Sequence, residues 1–263
     1  MNNPLKSALS KGEVQVGSWL NLCSPFAARF LARAGFKWLT VDIEHSPVNW
    51  ETAAQMFGVI AEAGIVPLAR VPSNSHENIK RCLDNGAFGI VVPMVNTAEE
   101  ARAAVAATRY HPVGNRSVGG SLHCLNFGVP APEYYAEASN EIFVAVQTEH
   151  IEAVENAEEI CAVEGVDAIF VGPNDLLQSM EKTPGMESDD KEFVEAMDHL
   201  RETALRHGVA PGLHTLLPEQ LRRRLDEGWT FLALGSDVAL MLQGAKSSLD
   251  EAGITGDGDS TRY

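Results

Sequence analysis

Short apolar runs rich in β-branched and aromatic residues alternate along this chain with longer stretches whose apolar positions recur every three or four residues. The runs at 14–20, 38–43, 65–70, 89–93, 209–213 and 231–235 read as strands, as do those that open at Ile142 and at Ala168. Each is apolar almost throughout, as expected of parallel strands covered on both faces. Helical periodicity follows at 25–34 and 50–63, from a cap at Asn74 to about Leu83, and from the capping-box sequence Thr97-Ala98-Glu99-Glu100 onward. It returns at 151–162, 192–207, 218–227 and 238–251, and a short helix over 4–11 leads the chain. Eight strand–helix alternations over 263 residues predict an α/β protein, a closed (β/α)8 TIM barrel with a short N-terminal helix. An open doubly wound sheet is the alternative; no Gly-x-Gly-x-x-Gly follows an early strand to support its dinucleotide-binding form. One barrel domain over 1–252 is expected, with a flexible polar tail over 253–263. Two stretches break the rhythm. Residues 110–141 carry Arg116-Ser117-Val118-Gly119-Gly120-Ser121 and are long enough to suggest a functional loop; residues 178–190 read as a polar loop.

Chemistry collects on one side of this pattern. Parallel strands joined by helices end together. At those ends stand Asp42, Glu44, His45, Arg70, Glu149, the run Gly172-Pro173-Asn174-Asp175, His214 and Ser236-Asp237. The opposite rim shows glycines such as Gly35, Gly64, Gly165 and Gly228, which read as helix ends. Glu149 and Asp175 follow the adjacent fifth and sixth strands, so their carboxylates are expected to converge. Two hard oxygen ligands suit a divalent ion such as Mg²⁺ or Mn²⁺.

Composition narrows the function classes. A formal charge of −16 argues against nucleic acid or an anionic membrane as partner. Cys23, Cys82, Cys124 and Cys161 form no Cys-x-x-Cys pair, so thiolate zinc and thioredoxin chemistry lack support. No signal core and no long apolar run is present, and a cytoplasmic protein is expected. No lysine falls on an expected strand end, which favours metal over Schiff-base chemistry.

The segments Val41-Asp42-Ile43-Glu44-His45, Arg70-Val71-Pro72, Val92-Pro93-Met94-Val95, Gln147-Thr148-Glu149 and Gly172-Pro173-Asn174-Asp175-Leu176 occur in a telling order and spacing. Through them the chain resembles the HpcH/HpaI aldolases, metal-dependent pyruvate aldolases, over nearly its whole length. The resemblance implies that Glu149 and Asp175 hold the metal, with Co²⁺ or Zn²⁺ as alternatives to Mg²⁺ or Mn²⁺. It implies that His45 is the catalytic base, that Arg70 binds the keto oxygen and the enolate, and that Asp42 is the acid beside the histidine. Asp84 matches an aspartate that reaches that histidine from a neighbouring subunit, in a family that commonly forms homohexamers. Gln147, Gly172, Pro173, Asn174, Trp19 and His214 are expected around the substrate. Leu177, Ser117, Thr148, His150, His123 and Cys124 depart from the family pattern, which bears on the second substrate rather than the reaction type.

The implied reaction is reversible cleavage of a 4-hydroxy-2-oxo acid to pyruvate, or a close 2-oxo acid, and an aldehyde. A carbon–carbon lyase acting on CoA thioesters through the same chemistry is the runner-up, and a non-catalytic 2-oxo-acid-binding barrel the third reading. Polar residues at His123, Asn126 and His214 lean towards a hydroxylated aldehyde.

Overall fold

The computed structural model describes residues 1–254, so most of the tail expected to fray lies outside the described residues. In chain order, α1 (Pro4–Leu9) leads into β1 (Gln15–Leu20) and α2 (Pro25–Leu31). There follow β2 (Trp38–Asp42), α3 (Trp50–Glu62), β3 (Val66–Arg70), α4 (His76–Asp84), β4 (Gly89–Val92) and α5 (Ala98–Thr108). Two further helices, α6 (Leu122–Phe127) and α7 (Ala131–Glu141), precede β5 (Phe143–Gln147). Next come α8 (Ile151–Glu155), α9 (Ala157–Cys161), β6 (Ala168–Val171), α10 (Pro173–Ser179) and α11 (Lys191–Arg206). The chain finishes with β7 (Ala210–Thr215), α12 (Pro218–Asp226), β8 (Phe231–Ser236) and α13 (Asp237–Glu251). The strands close into a parallel barrel in sequence order, with β8 pairing back on β1. This is the (β/α)8 barrel the alternation predicts.

Large rings fill the barrel, and strand glycines make room for them. Phe231 packs against Trp38, Phe143 and Phe170 at 4.6, 5.1 and 5.6 Å between ring centroids. A methyl group on Gly17 would lie 2.1 Å from the Trp38 ring, and one on Gly212 2.7 Å from that of Phe231. Each buried aromatic side chain contributes about 1.5–3 kcal/mol of hydrophobic stabilisation. Phe170 also contacts Trp19 at 5.6 Å, so the packed interior continues up to the floor of the mouth.

The other end of the barrel is closed by α1. Asn3 caps this helix by accepting from the N–H groups of Leu5 and Lys6, and its amide donates to the carbonyls of Phe88 and Glu141. Lys6 pairs with Asp167 at 2.9 Å, just before β6. Among the described residues no helix is long and apolar enough to cross a membrane. All four cysteines are free.

Several local expectations are corrected. The helix expected over 151–162 is two short helices that meet at Asn156, whose side chain donates to the carbonyl of Asn96 at 2.9 Å. Ser75, not Asn74, caps α4, because Asn74 donates instead to the carbonyl of Glu100. The stretch 110–141 is not one long loop: it folds into α6 and α7. It follows the C-terminal end of α5 and therefore lies on the rim where strands begin. The capping box at Thr97 and Glu100 forms as expected.

Candidate active site

The C-terminal strand ends surround a pocket of about 220 Å³. β1 contributes Trp19, the end of β2 Asp42 and His45, and β3 its last residue, Arg70. Gln147 and Glu149 come from the end of β5, Gly172, Pro173, Asn174 and Asp175 from the turn into α10, and His214 from β7. Of the twelve residues expected to bind metal or substrate or to act in catalysis, eleven line this pocket and Asp84 does not.

Arg70 is fixed from several sides. Its Nε donates to Asp42 Oδ1 at 2.9 Å and its Nη2 to Asp42 Oδ2 at 2.7 Å, a bidentate pair. Nη1 lies 3.3 Å from Glu44 Oε2, and the guanidinium sits 4.5 Å over the Trp19 ring. Burial works against its charge, but the hydrogen bonds and charge of Asp42, with Glu44 and Glu149 behind, raise its pKa above the ordinary value.

This arrangement corrects the part expected of Asp42. Its oxygens are taken by Arg70, by Asn21 Nδ2 at 2.8 Å and by the backbone N–H groups of Glu44 and His45. Asp42 thus aims the arginine and shapes the turn that carries His45, and hydrogen-bonds no atom of the imidazole ring. The ring of His45 stands at the pocket edge, 66% exposed, with Glu44 Oε2 3.8 Å from its Nε2.

Glu149 is the buried acid of the site. Oε1 accepts from the Met94 N–H at 3.0 Å and Oε2 from Gln147 Nε2 at 2.7 Å. Burial pushes its pKa up to about 7; the Met94 N–H pulls it down, the charge of Asp175 pushes it up, Arg70 pulls it down and Glu44 pushes it up. Glu44 is raised as well, by burial first, with Arg70 and His45 opposing and Asp42 and Asp175 adding to it. The Glu44 Oε2 atom is buried without a hydrogen bond.

Three carboxylates, Glu44, Glu149 and Asp175, thus act on one another beside a single guanidinium already paired to a fourth. That excess of negative charge fits a divalent cation. Among the described residues no three His, Cys, Asp or Glu side chains form a ready-made cation cage. Two acids alone suit an ion that keeps water and takes substrate oxygens in its remaining positions. No lysine is among the described residues lining the pocket.

Asp84 ends α4, on the rim where strands begin, and pairs with Arg116 at 2.7 Å within its own chain. One chain alone does not bring it to the mouth. His123 and Asn126 are also absent from the pocket lining: His123 is buried against Tyr134 at 4.0 Å, and Asn126 donates to the carbonyl of Gly86. Of the three polar residues thought to favour a hydroxylated partner, only His214 lines the pocket. Met94 is 45% exposed, while its backbone N–H holds Glu149 from a left-handed conformation with φ 53°.

Sequence reasoning gave no role to Asn21, Glu44 or the Met94 backbone. Asn21 and Glu44 carried a usable signal, since each lies within two residues of a strand end on the functional rim. The Met94 conformation carried none, because a left-handed residue that is not glycine is invisible in the pattern.

The profile of the HpcH/HpaI aldolase/citrate lyase family matches residues 15–244. The chain belongs to this family. A hydroxypyruvate/pyruvate aldolase of Cupriavidus necator is 38% identical over 247 residues, 93% of this chain and 90% of that protein. A 4-hydroxy-2-oxo-heptane-1,7-dioate aldolase of Klebsiella pneumoniae is 40% identical over 94% of this chain and 92% of its own length. The crystal structure of a family protein from Burkholderia cenocepacia superposes with a TM-score of 0.89 at 32% identity, covering 95% of this chain and 99% of that one.

Proposed function

We propose that this protein is a class II aldolase that reversibly cleaves 4-hydroxy-2-oxo acids to pyruvate, or a close 2-oxo acid, and an aldehyde. The observation that carries the proposal is Glu149, buried and pushed up to about 7 beside Asp175, in a pocket whose one guanidinium is fixed by Asp42. Glu149 and Asp175 are the residues that would hold a divalent ion, Mg²⁺ or Mn²⁺ by donor type, with Co²⁺ or Zn²⁺ as alternatives. Such an ion supplies Lewis acidity to the keto oxygen of a bound oxo acid.

The chain's own residues do the rest. Arg70 presents a fixed positive charge to the keto oxygen, where negative charge develops. In the cleavage direction the His45 imidazole takes the proton of the 4-hydroxyl. The C3–C4 bond breaks, the aldehyde forms at C4, and the electron pair makes C2–C3 double as charge moves to the C2 oxygen. Proton delivery to C3 then completes pyruvate. Glu44 Oε2 stands 3.8 Å from the imidazole Nε2, in the turn that Asp42 shapes. Trp19 and Phe170 form an apolar floor. Gly172, Pro173 and Asn174 open α10, whose unpaired N–H groups offer a cradle for a carboxylate. Arg70 is the one Lys or Arg among the described lining residues, which leaves CoA phosphates without partners in the pocket.

The proposal includes a homo-oligomer, a hexamer by family resemblance, in which Asp84 serves a neighbouring subunit's His45. What supports an oligomer is apolar surface: Phe26, Phe30 and Leu125 are 73%, 77% and 76% exposed. It also includes a cytoplasmic location, supported by four free thiols.

Dialysis against a chelator tests the function. Pyruvate release from a 4-hydroxy-2-oxo acid is expected to fall to background and return with Mg²⁺, Mn²⁺ or Co²⁺. Full activity in the chelated protein would contradict the proposal.

A further inference from the structure

One group in the pocket has no part in the chemistry above. The ring of His214 stacks on Trp19, with centroids 5.7 Å apart and 11° between the planes. Its Nε2 lies 2.9 Å from the carbonyl oxygen of Gly235, which also accepts from Ser18 Oγ at 3.2 Å. A carbonyl oxygen can only accept, so Nε2 carries the hydrogen and the tautomer is locked. Burial lowers the His214 pKa to about 4; the Gly235 carbonyl and Asp42 oppose this, and the charge of Arg70 adds to it. The ring is therefore neutral at pH 7, and Nδ1 keeps its lone pair.

Among the described residues Nδ1 has no hydrogen-bond partner, and it is not among the buried unpartnered atoms, so it opens on the pocket that His214 lines. The stack on Trp19 and the bond to Gly235 leave the ring little freedom to turn. A fixed neutral acceptor in a pocket wall favours a ligand that brings a donor to it. A hydroxyl is such a donor. Hydroxypyruvate carries one on C3 and glycolaldehyde carries one beside its carbonyl; pyruvate and acetaldehyde carry none.

We infer that His214 Nδ1 accepts a hydrogen bond from a substrate hydroxyl, on C3 of the oxo acid or on the aldehyde, and so makes the enzyme prefer the hydroxylated partner. The inference rests on the aldolase reading and adds to it a residue that sets the substrate class.

The test uses the full chain loaded with Mg²⁺. The kcat/KM ratio is measured for hydroxypyruvate over pyruvate with one common aldehyde, and for glycolaldehyde over acetaldehyde with one common oxo acid. His214→Phe keeps a flat ring against Trp19 and removes the acceptor. His214→Asn offers an amide oxygen in place of Nδ1. In one of the two arms, His214→Phe is expected to lower the ratio about tenfold, the scale of one hydrogen bond, and His214→Asn to restore part of it. The arm that responds identifies which hydroxyl is read. Ratios equal to wild type in both arms, including an equal loss on every substrate, would overturn the inference while leaving the aldolase reading intact. Should His214→Phe fail to fold, His214→Leu carries the same measurement. Absence of turnover with every pair in the wild type overturns the aldolase reading itself, and this inference with it.

Discussion

Arg70 owes its direction to Asp42. A planar guanidinium held by two parallel hydrogen bonds keeps its remaining face on the pocket, which a lysine ammonium cannot reproduce. Arg70→Lys is therefore expected to lower kcat/KM about 100-fold or more, in the range seen when a fixed donor to developing charge is removed. Asp42→Asn should lose rate in the same way while still binding Mn²⁺, read by titration of the free ion. Glu149 brings a pH dependence. Its pKa is raised, so below about pH 7 a proton competes with a cation for the carboxylate. Mn²⁺ affinity should climb from pH 5.5 to about 7 and then level off, and a flat profile would show that Glu149 is no ligand. At this scale the sequence identified the members of the site but not their pairings. Asp42 was legible as an acid near His45, yet its bond to Arg70 depends on where two side chains point. Glu44 was in plain view between them and gained a role only once its oxygen was seen buried beside Arg70 and His45.

The turn from β6 into α10 shows how an element makes a site. Gly172 passes so close to Glu149 that a methyl group there would sit 2.3 Å from Oε2. Gly172→Ala should displace this carboxylate and weaken Mn²⁺ binding at least tenfold, with little change in Tm, since the buried strand before it is unaltered. The cap of α5 offers a control away from the mouth. Thr97 Oγ1 accepts from the Glu100 N–H at 3.2 Å, and Thr97→Ala should cost about 1 kcal/mol in urea unfolding with kcat unchanged. The strands and the capping box were readable because buried parallel strands are continuously apolar and a cap is a local motif. α6 was not readable for the opposite reason. Its Leu122 and Leu125 are 40% and 76% exposed, while its inward face is a histidine, a cysteine and one phenylalanine, His123, Cys124 and Phe127, so no regular aliphatic stripe marks it. The break at Asn156 is set by a carbonyl 60 positions away, that of Asn96, which no window along the chain contains.

For the whole molecule, barrel closure turns distant positions into one pocket, and the alternation of runs and periodic stretches is enough to foresee it. That is why eleven of the mouth residues and the convergence of strand ends could be placed before any coordinate, whereas Asp84 could not. Within one chain it ends α4 on the opposite rim and pairs with Arg116. The central claim concerns the joint action of Glu149, Asp175, Arg70 and His45 on an oxo acid, and the most direct measurement is exchange of the pyruvate methyl protons with D2O, followed by proton NMR. The account predicts loss of the methyl signal with Mg²⁺ present, none after chelation, and none in Glu149→Gln or Asp175→Asn even with Mg²⁺ added. Exchange at an undiminished rate in the chelated protein, or in both variants, would contradict it.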